Sequence, residues 1–327
     1  MDTSIKETTT IAILGATGHI AKNLIYYLSK EEKYNLVLFA RSVSKIEHFL
    51  NDNLLMKSKF TLYNMEHFSL YSYDVIINCI GIVDSTKSKK EQQQVFTVTE
   101  KYDNLILNYL HSYSKALYIN LSSGAAYSTE FDQAVDQNTK SEIEINNLLP
   151  THSYGITKLY TEAKHRAFDN LNIVDLRVFS FFSRFIDINS KFLLTDIIQC
   201  LREDKVLRTN NINIVRDYIH PKDFIELIKL CISKQVVNDV FDVYSLGPIS
   251  KFDILNYFVE EYGLKIENDN SYSLTSPSGV KNNYYSINTK SKTVLLYYPI
   301  YTSLECIKEE IRYIYNGSPN KDYKVKK

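Results

Sequence analysis

The sequence predicts a doubly wound α/β fold built on a parallel sheet, followed by a smaller C-terminal lobe. Three observations carry that expectation. Through the first half of the chain, short apolar runs alternate with longer amphipathic ones, the pattern of βαβ units. The first apolar run ends in a glycine-spaced turn that opens an amphipathic helix. After Ser180 the alternation decays into short mixed elements, where a second lobe would be built.

In order, residues 11–14 (IAIL) read as a buried strand, 15–18 as a turn, and 21–28 as a helix with apolar residues at helical spacing. Residues 36–40 (LVLFA) form a second strand, 60–63 a weaker third and 75–80 (VIINCI) a fourth. A long helical stretch at 90–113 precedes a fifth strand at 116–121 (ALYINL), which ends in Ser122-Ser123-Gly124. Residues 128–149 are polar and mostly aperiodic, an excursion above the sheet. A helix at 154–170 and a sixth strand at 173–178 (IVDLRV) follow. The expected organisation is a sheet domain over 1–179 and a second lobe drawn mainly from 180–315, with the chain free to cross back to the sheet. Residues 316–327, containing Pro and Lys, read as a mobile tail.

Composition narrows the function. The 327 residues are 44% hydrophobic and 23% charged, enough for a sizeable core and against global disorder. Thirty-eight Lys and Arg balance 38 Asp and Glu, which argues against non-specific binding to nucleic acid or to an anionic membrane. No apolar run reaches the roughly 18–20 residues of a transmembrane helix, and the polar start lacks a signal-peptide core. Cys79, Cys200, Cys231 and Cys306 lie far apart with no C-x-x-C pair, so neither a metal site nor a disulfide framework is expected. A reducing, cytoplasmic setting fits.

The first chemical signal is Gly15-Ala16-Thr17-Gly18-His19-Ile20-Ala21, a G-x-x-G-x-x-A loop between strand and helix. Its glycines let the backbone approach a pyrophosphate, whose charge rests on free N–H groups at the helix N-terminus. Gly15, Thr17, Gly18, His19 and Ile20 are the expected contacts. The plainer reading, a tight turn with no ligand, is the weaker one given the flanking strand and helix. At the end of the second strand, a carboxylate would bind the ribose of NAD and an arginine a 2′-phosphate. The strand ends in Phe39-Ala40-Arg41-Ser42, so Arg41 and Ser42 favour NADP(H), with NAD(H) use left open.

Tyr154 and Lys158 stand four residues apart, which on a helix puts both side chains on one face. An ammonium near a phenol stabilises phenolate and makes the phenol a usable proton donor and acceptor. Spacing alone proves little, because four other Tyr/Lys pairs share it in a chain of 26 tyrosines. Context singles this pair out. It opens the helix after the fifth strand, whose end carries Ser122 and Ser123, and ligands of open α/β sheets lie beyond the carboxyl ends of the strands.

Together, the glycine loop, the Ser-Ser-Gly-Ala-Ala-Tyr strand end and the Tyr-x-x-x-Lys helix resemble an extended short-chain dehydrogenase/reductase with a Rossmann domain. The closest branch is that of nucleotide-sugar epimerases, dehydratases and reductases. The likeness continues through Leu176-Arg177-Val178-Phe179, Arg216-Asp217-Tyr218-Ile219-His220-Pro221-Lys222-Asp223, Tyr244-Ser245-Leu246-Gly247 and Ser291-Lys292, covering about residues 10–315. The resemblance implies Ser123, Tyr154 and Lys158 as catalytic residues, with Ser123 also contacting substrate, Tyr154 and Lys158 also contacting the cofactor, and Lys158 holding the nicotinamide ribose. It implies Arg216 as a ligand of the nucleotide-sugar diphosphate, against a plainer reading as an Arg–Asp surface pair, and Lys191 as a weaker substrate contact. His19 and His220 are expected to be structural rather than catalytic.

Departures from the family pattern are informative. Its 4,6-dehydratases follow the catalytic Ser or Thr with an Asp-Glu pair, and here those positions are Gly124 and Ala125, which cannot transfer protons. The family often has Asn and then Tyr-Gly-Pro after the Arg177 strand, where this chain has Ser180 and Phe182-Ser183-Arg184. The expected activity is therefore NADPH-dependent reduction of a nucleotide-linked 4-keto (often 6-deoxy) sugar. The alternatives are a 4-epimerase with a bound cofactor and a non-catalytic NADP(H) sensor. The resemblance also implies a homodimer through the helices near 90–113 and 154–170.

Overall fold

A computed structural model describes residues 8–82, 89–128, 130–234, 238–269 and 281–316. The expected tail lies outside these from residue 317 onwards. The first half comprises β1 (Thr9–Leu14), α1 (His19–Leu28), β2 (Tyr34–Phe39), α2 (Val43–Asp52), β3 (Phe60–Tyr63) and β4 (Val75–Asn78). It continues with α3 (Lys89–Ser112), β5 (Leu117–Ser123), α4 (Ser153–Ala167) and β6 (Ile173–Val178). Then come β7 (Ser180–Phe181), α5 (Leu193–Glu203), β8 (Leu207–Thr209), β9 (Val215–Arg216), β10 (Tyr218–Ile219), α6 (Pro221–Ser233) and β11 (Asn238–Val243). The chain ends with β12 (Ile249–Ser250), α7 (Lys251–Tyr262), β13 (Ile266–Asn268), β14 (Asn283–Tyr284), α8 (Lys290–Leu295) and α9 (Ser303–Asn316).

The main sheet is seven-stranded and parallel, in the order β11-β6-β5-β4-β1-β2-β3. Alternation along the strands explains why both faces are covered. Ile11, Ile13, Leu36, Leu38 and Ile77 point into one core, shared with Leu24 and Ile25 of α1 and Phe224 and Ile228 of α6. Ala12, Leu14, Val37, Phe39 and Ile76 point into the other, with Ile106, Leu107 and Leu110 of α3. Helices thus bury both faces, as a parallel sheet requires. A third core, around Phe182, Ile197, Ile198, Ile254, Phe258, Ile307 and Ile311, holds the C-terminal lobe together.

Six of the seven sheet strands fall where the apolar runs predict them. The seventh, β11, comes from the second half of the chain by way of α6, and the periodicity of its sequence NDVFDV does not announce it. Its two aspartates break the apolar run, yet Asp242 is buried. Residues 128–149 carry no strand or helix among the described residues. They are tied down by isolated parallel bridges, Phe131 to Lys281 and Val135 to Ser286.

Under the sheet edge, α3, α4, β5 and β6 meet in a buried polar cluster. His165 is sandwiched between two carboxylates, its Nδ1 2.9 Å from Asp175 and its Nε2 2.7 Å from Asp103. Tyr118 donates to Asp103, Asn120 and Arg166 donate to Asp175, and Lys164 pairs with Asp103. Burial alone would lower the His165 pKa, but Asp175 and Asp103 together raise it to about 9. Because the folded value lies above that of an unfolded histidine, its contribution is full below about pH 6.5 and is lost as pH rises through about 9. Denaturant unfolding should therefore show wild type losing a few kcal/mol between pH 6 and pH 10 relative to His165→Gln. Parallel pH profiles for the two proteins would contradict the assignment.

Candidate active site

The strand order reverses at β1: β2 and β3 lie on one side, β4 and β5 on the other. At this switch point β1 is followed by Gly15, whose φ of +75° is a left-handed conformation that favours glycine. A Cβ there would stand 3.0 Å from Ile80 and 3.1 Å from the Cys79 backbone. Gly15 N and Ala16 N both donate to Phe39 O, and Gly18 N donates back to Gly15 O at 2.9 Å. Gly18 is the N-cap of α1 and no side chain caps the helix, so its first-turn N–H groups are left for an anion. A dinucleotide pyrophosphate fits this cradle, with Thr17 and Ile20 half-buried beside it.

His19, in the same loop, has a structural tie. Its Nε2 is 2.7 Å from Ser183 Oγ, which also accepts from Asn23 Nδ2, binding α1 to the segment after β6. Burial and Lys22 push His19 down to about 3, so it is neutral at physiological pH. Arg41 is exposed just past β2, and Ser42 precedes α2 with its hydroxyl 2.9 Å from Ser44.

At the end of β5, Ser123 is buried, and its Oγ accepts from Ala125 N at 3.2 Å. Helix α4 comes unusually close here: a Cβ on Gly155 would stand 2.5 Å from Ala125 O. That approach carries Tyr154 and Lys158 to the strand end. Lys158 is buried, donates from Nζ to Leu121 O at 2.8 Å, and lies 5.7 Å from the centre of the Tyr154 ring. Gly124 leaves no room for any side chain, since a Cβ would stand 2.3 Å from the Phe179 ring. The absence of an acid at 124 is thus matched by packing.

A buried ionic chain backs these residues. Arg177 donates from Nε and Nη2 to Glu162, whose Oε1 also accepts from Ser122 Oγ, and reaches Asp242 at 3.4 Å. Asp242 in turn accepts from Tyr127 OH at 2.8 Å and from Ser286 Oγ at 2.6 Å. Sequence reasoning assigned no role to Glu162, Asp242 or Gly155. Only Glu162 carried a signal, one helical turn beyond Lys158.

On the lobe side, Arg216 of β9 is partly buried, and its Nη1 donates to Val215 O at 2.8 Å. Asp217 turns away from it, accepting from Ser245 N and Ser303 Oγ at 3.0 Å each, so the surface-pair reading of Arg216-Asp217 does not hold. Beside it in the sheet, Tyr284 of β14 pairs with Arg216. The Tyr284 hydroxyl lies 2.9 Å from Ser123 Oγ, while its ring is 6.0 Å from the Arg216 guanidinium and 4.2 Å from Lys281 Nζ. Tyr284, which sequence reasoning missed among 26 tyrosines, therefore links Ser123 to Arg216.

His220 caps α6 by accepting from Lys222 N and stacks on Tyr301 at 3.8 Å; burial pushes it down to about 4. It converges with Glu309 and Glu310, but Lys222 and Arg184 neutralise those carboxylates. Lys191 is exposed before α5, with Asp196 as an electrostatic neighbour, and is not drawn into the Ser123 cluster by any contact described.

The Gly15 geometry makes a direct prediction. In Gly15→Ala the left-handed backbone costs about 1–2 kcal/mol, and the new methyl crowds Ile80 and Cys79. Fluorescence titration should show dinucleotide affinity at least about tenfold weaker, in a protein whose circular dichroism is unchanged; equal affinity would remove the cradle from the site.

Comparison with known proteins places this architecture. Several solved structures share the fold. UDP-glucuronic acid 4-epimerase from Bacillus cereus, in complex with UDP-glucuronic acid and NAD, superposes with a TM-score of 0.75 at 20% identity over 93% of this chain and 98% of that one. UDP-N-acetylglucosamine 4-epimerase from Methanobrevibacter ruminantium gives 0.77 at 14% identity over 95% and 100%. dTDP-glucose 4,6-dehydratase from Bacillus anthracis, in complex with NAD, gives 0.74 at 16% identity over 94% and 96%. At these identities the likeness is one of fold. No curated protein matches in sequence. Residues 11–247, more than half of the chain and all seven strands of the sheet but the first two residues of β1, match a single family, so the chain belongs to the NAD dependent epimerase/dehydratase family.

Proposed function

We propose that this protein is an NADPH-dependent reductase of a nucleotide-linked 4-keto sugar, often a 6-deoxy sugar. The observation that carries the reading is the gathering of Ser123, Tyr154 and Lys158 at the end of β5, with the glycine cradle on one side and Arg216 on the other. Gly15, Thr17, Gly18, His19 and Ile20 hold the pyrophosphate, Arg41 and Ser42 face the adenosine end, and Lys158 reaches the nicotinamide ribose. NADP(H), when bound there, supplies the hydride.

Tyr154 gives its proton to the sugar oxygen as that oxygen gains charge. Ser123 donates a hydrogen bond to the same oxygen. Lys158, whose ammonium is desolvated and held by Leu121 O, stabilises the tyrosinate that results. Charge is met by fixed donors rather than by mobile water. Arg216 suits the diphosphate of the substrate because its fork of donors matches phosphate oxygens and no carboxylate neutralises it among the described residues. Water elimination is disfavoured: position 124 carries no acid, and Phe179 fills the space one would need.

The second reading is a 4-epimerase using the same three residues, with the hydride returned to the opposite face of the sugar. It is supported by the 4-epimerases of this fold, one in complex with UDP-glucuronic acid and NAD and one with UDP-N-acetylmuramic acid. NADPH absorbance over a panel of UDP-, dTDP-, CDP- and GDP-linked 4-keto-6-deoxyhexoses separates the two. Stoichiometric loss is expected. In parallel, inversion at C4 of nucleotide hexoses that carry a C4 hydroxyl, with no net change in the cofactor, would mean an epimerase, and NADPH binding with silence on every sugar would mean a sensor.

Two variants sharpen the assignment. Tyr154→Phe should lower kcat by about 10²–10⁴-fold, the range of a lost general acid, with NADPH affinity unchanged. Arg41→Glu should raise the KM for NADPH about tenfold or more and leave NADH nearly untouched, because only NADPH carries the 2′-phosphate. Equal loss with both cofactors would refute the role of Arg41.

A further inference from the structure

Lys251 is the first residue of α7 and is fully buried, yet no carboxylate pairs with it among the described residues. Its Nζ donates instead to neutral oxygens, Asn210 O at 2.6 Å, Asn210 Oδ1 at 3.0 Å and Thr209 Oγ1 at 3.4 Å. Burial pushes the ammonium's pKa down, and the amino end of a helix is the end that disfavours a cation. Taking a charge out of water at such a place is costly. An apolar side chain of the same length would fill the space without that cost.

The oxygens that hold the ammonium belong to the turn that delivers Arg216. Residues 210–214 join β8 to β9, and Lys251 grips them at both ends: its ammonium takes Asn210, and its backbone N donates to Ile214 O at 2.7 Å. Within the grip, Ile212 N donates to Asn210 Oδ1 at 3.1 Å, and Phe252 N donates to Asn213 Oδ1 at 3.2 Å. β9 itself has two residues, as do β12 and β14 on either side of it. A ladder that short carries few hydrogen bonds, so the place of Arg216 depends on what holds the chain before and after it. After it, Asp217 accepts from Ser245 N and Ser303 Oγ. Before it, the hold is Lys251. The task suits an ammonium, whose three N–H groups on one small atom reach backbone and side-chain oxygens at once, as neither a methyl group nor a planar guanidinium does.

We propose that Lys251 is a positioning residue for Arg216: by gripping the 210–214 turn at both ends, it sets the guanidinium where a nucleoside diphosphate is bound. The inference rests on the reading of Arg216 as the diphosphate ligand. It gives Lys251 a part in diphosphate affinity and none in the chemical step or in the dinucleotide cradle.

The test is calorimetric binding of UDP, dTDP, CDP and GDP to NADPH-loaded wild type, Lys251→Met, Arg216→Gln and the double variant, with NADPH itself titrated in parallel. Methionine keeps the length of the side chain and removes the donors. The diphosphate that wild type binds best should bind Lys251→Met about five- to tenfold more weakly, with NADPH affinity within about twofold. On the nucleotide sugar that is turned over, KM should rise by the same factor and kcat stay within about twofold. In the Arg216→Gln background Lys251→Met should cost nothing further, because the group it places is gone. Should Lys251→Met not fold, Asn210→Ala carries the same cycle: it removes one of the ammonium's acceptors and should cost about two- to threefold, a loss that Arg216→Gln abolishes. Unchanged diphosphate affinity, a loss that persists without Arg216, or an equal loss for NADPH would each overturn the proposal. Diphosphate binding that Arg216→Gln leaves intact, or none in wild type, would instead overturn the role of Arg216, and this inference with it.

Discussion

The Arg177 guanidinium is partly buried at the end of β6, and much of the site hangs from it. Burial disfavours its charge, yet Glu162 and Asp242 hold it charged. Glu162 belongs to α4, the helix of Tyr154 and Lys158, and also accepts from Ser122, the neighbour of Ser123. Asp242 belongs to β11 and accepts from Tyr127 and from Ser286, two residues past Tyr284. One ion therefore ties together β5, α4, β11 and the segment that brings Tyr284 to Ser123. Breaking such a buried pair by removing one partner typically costs 3–5 kcal/mol, because the other charge is left unpaired.

Position within the site is set by close backbone approach as much as by charge. Gly155 lets α4 come against Ala125, and Gly124 lets Phe179 lie against the turn after Ser123. Both glycines are spatial requirements between neighbouring elements. The first contact places Tyr154 beside the strand end, and the second, a separate one, fills the space that a side chain at 124 would need.

The βα units are legible in sequence because strand and helix faces repeat with different periods, and residues 11–14, 36–40, 60–63, 75–80, 116–121 and 173–178 all fall on or across observed sheet strands. The glycine loop is legible because its conformation depends on local backbone freedom at Gly15. Tyr154 and Lys158 needed their place after the fifth strand to stand out from four other such pairs. β11 escaped notice because its aspartates interrupt the apolar run, and buried Asp242 finds its partners, Arg177, Tyr127 and Ser286, far away in sequence. Arg216 and Asp217, adjacent in sequence, look like a pair and are not, because Asp217 is taken by Ser245 and Ser303.

By itself, then, the sequence determined what depends on near neighbours along the chain: the alternating elements, the glycine turn between β1 and α1, and the helix face shared by Tyr154 and Lys158. Only the tertiary structure decided which distant groups meet. The pairing of Ser123 with Tyr284 spans 161 residues, and that of Arg177 with Asp242 spans 65. Such contacts leave no periodic trace, because each side chain is locally compatible with many environments. Its partner is chosen when the sheet and the C-terminal lobe close around the same small volume.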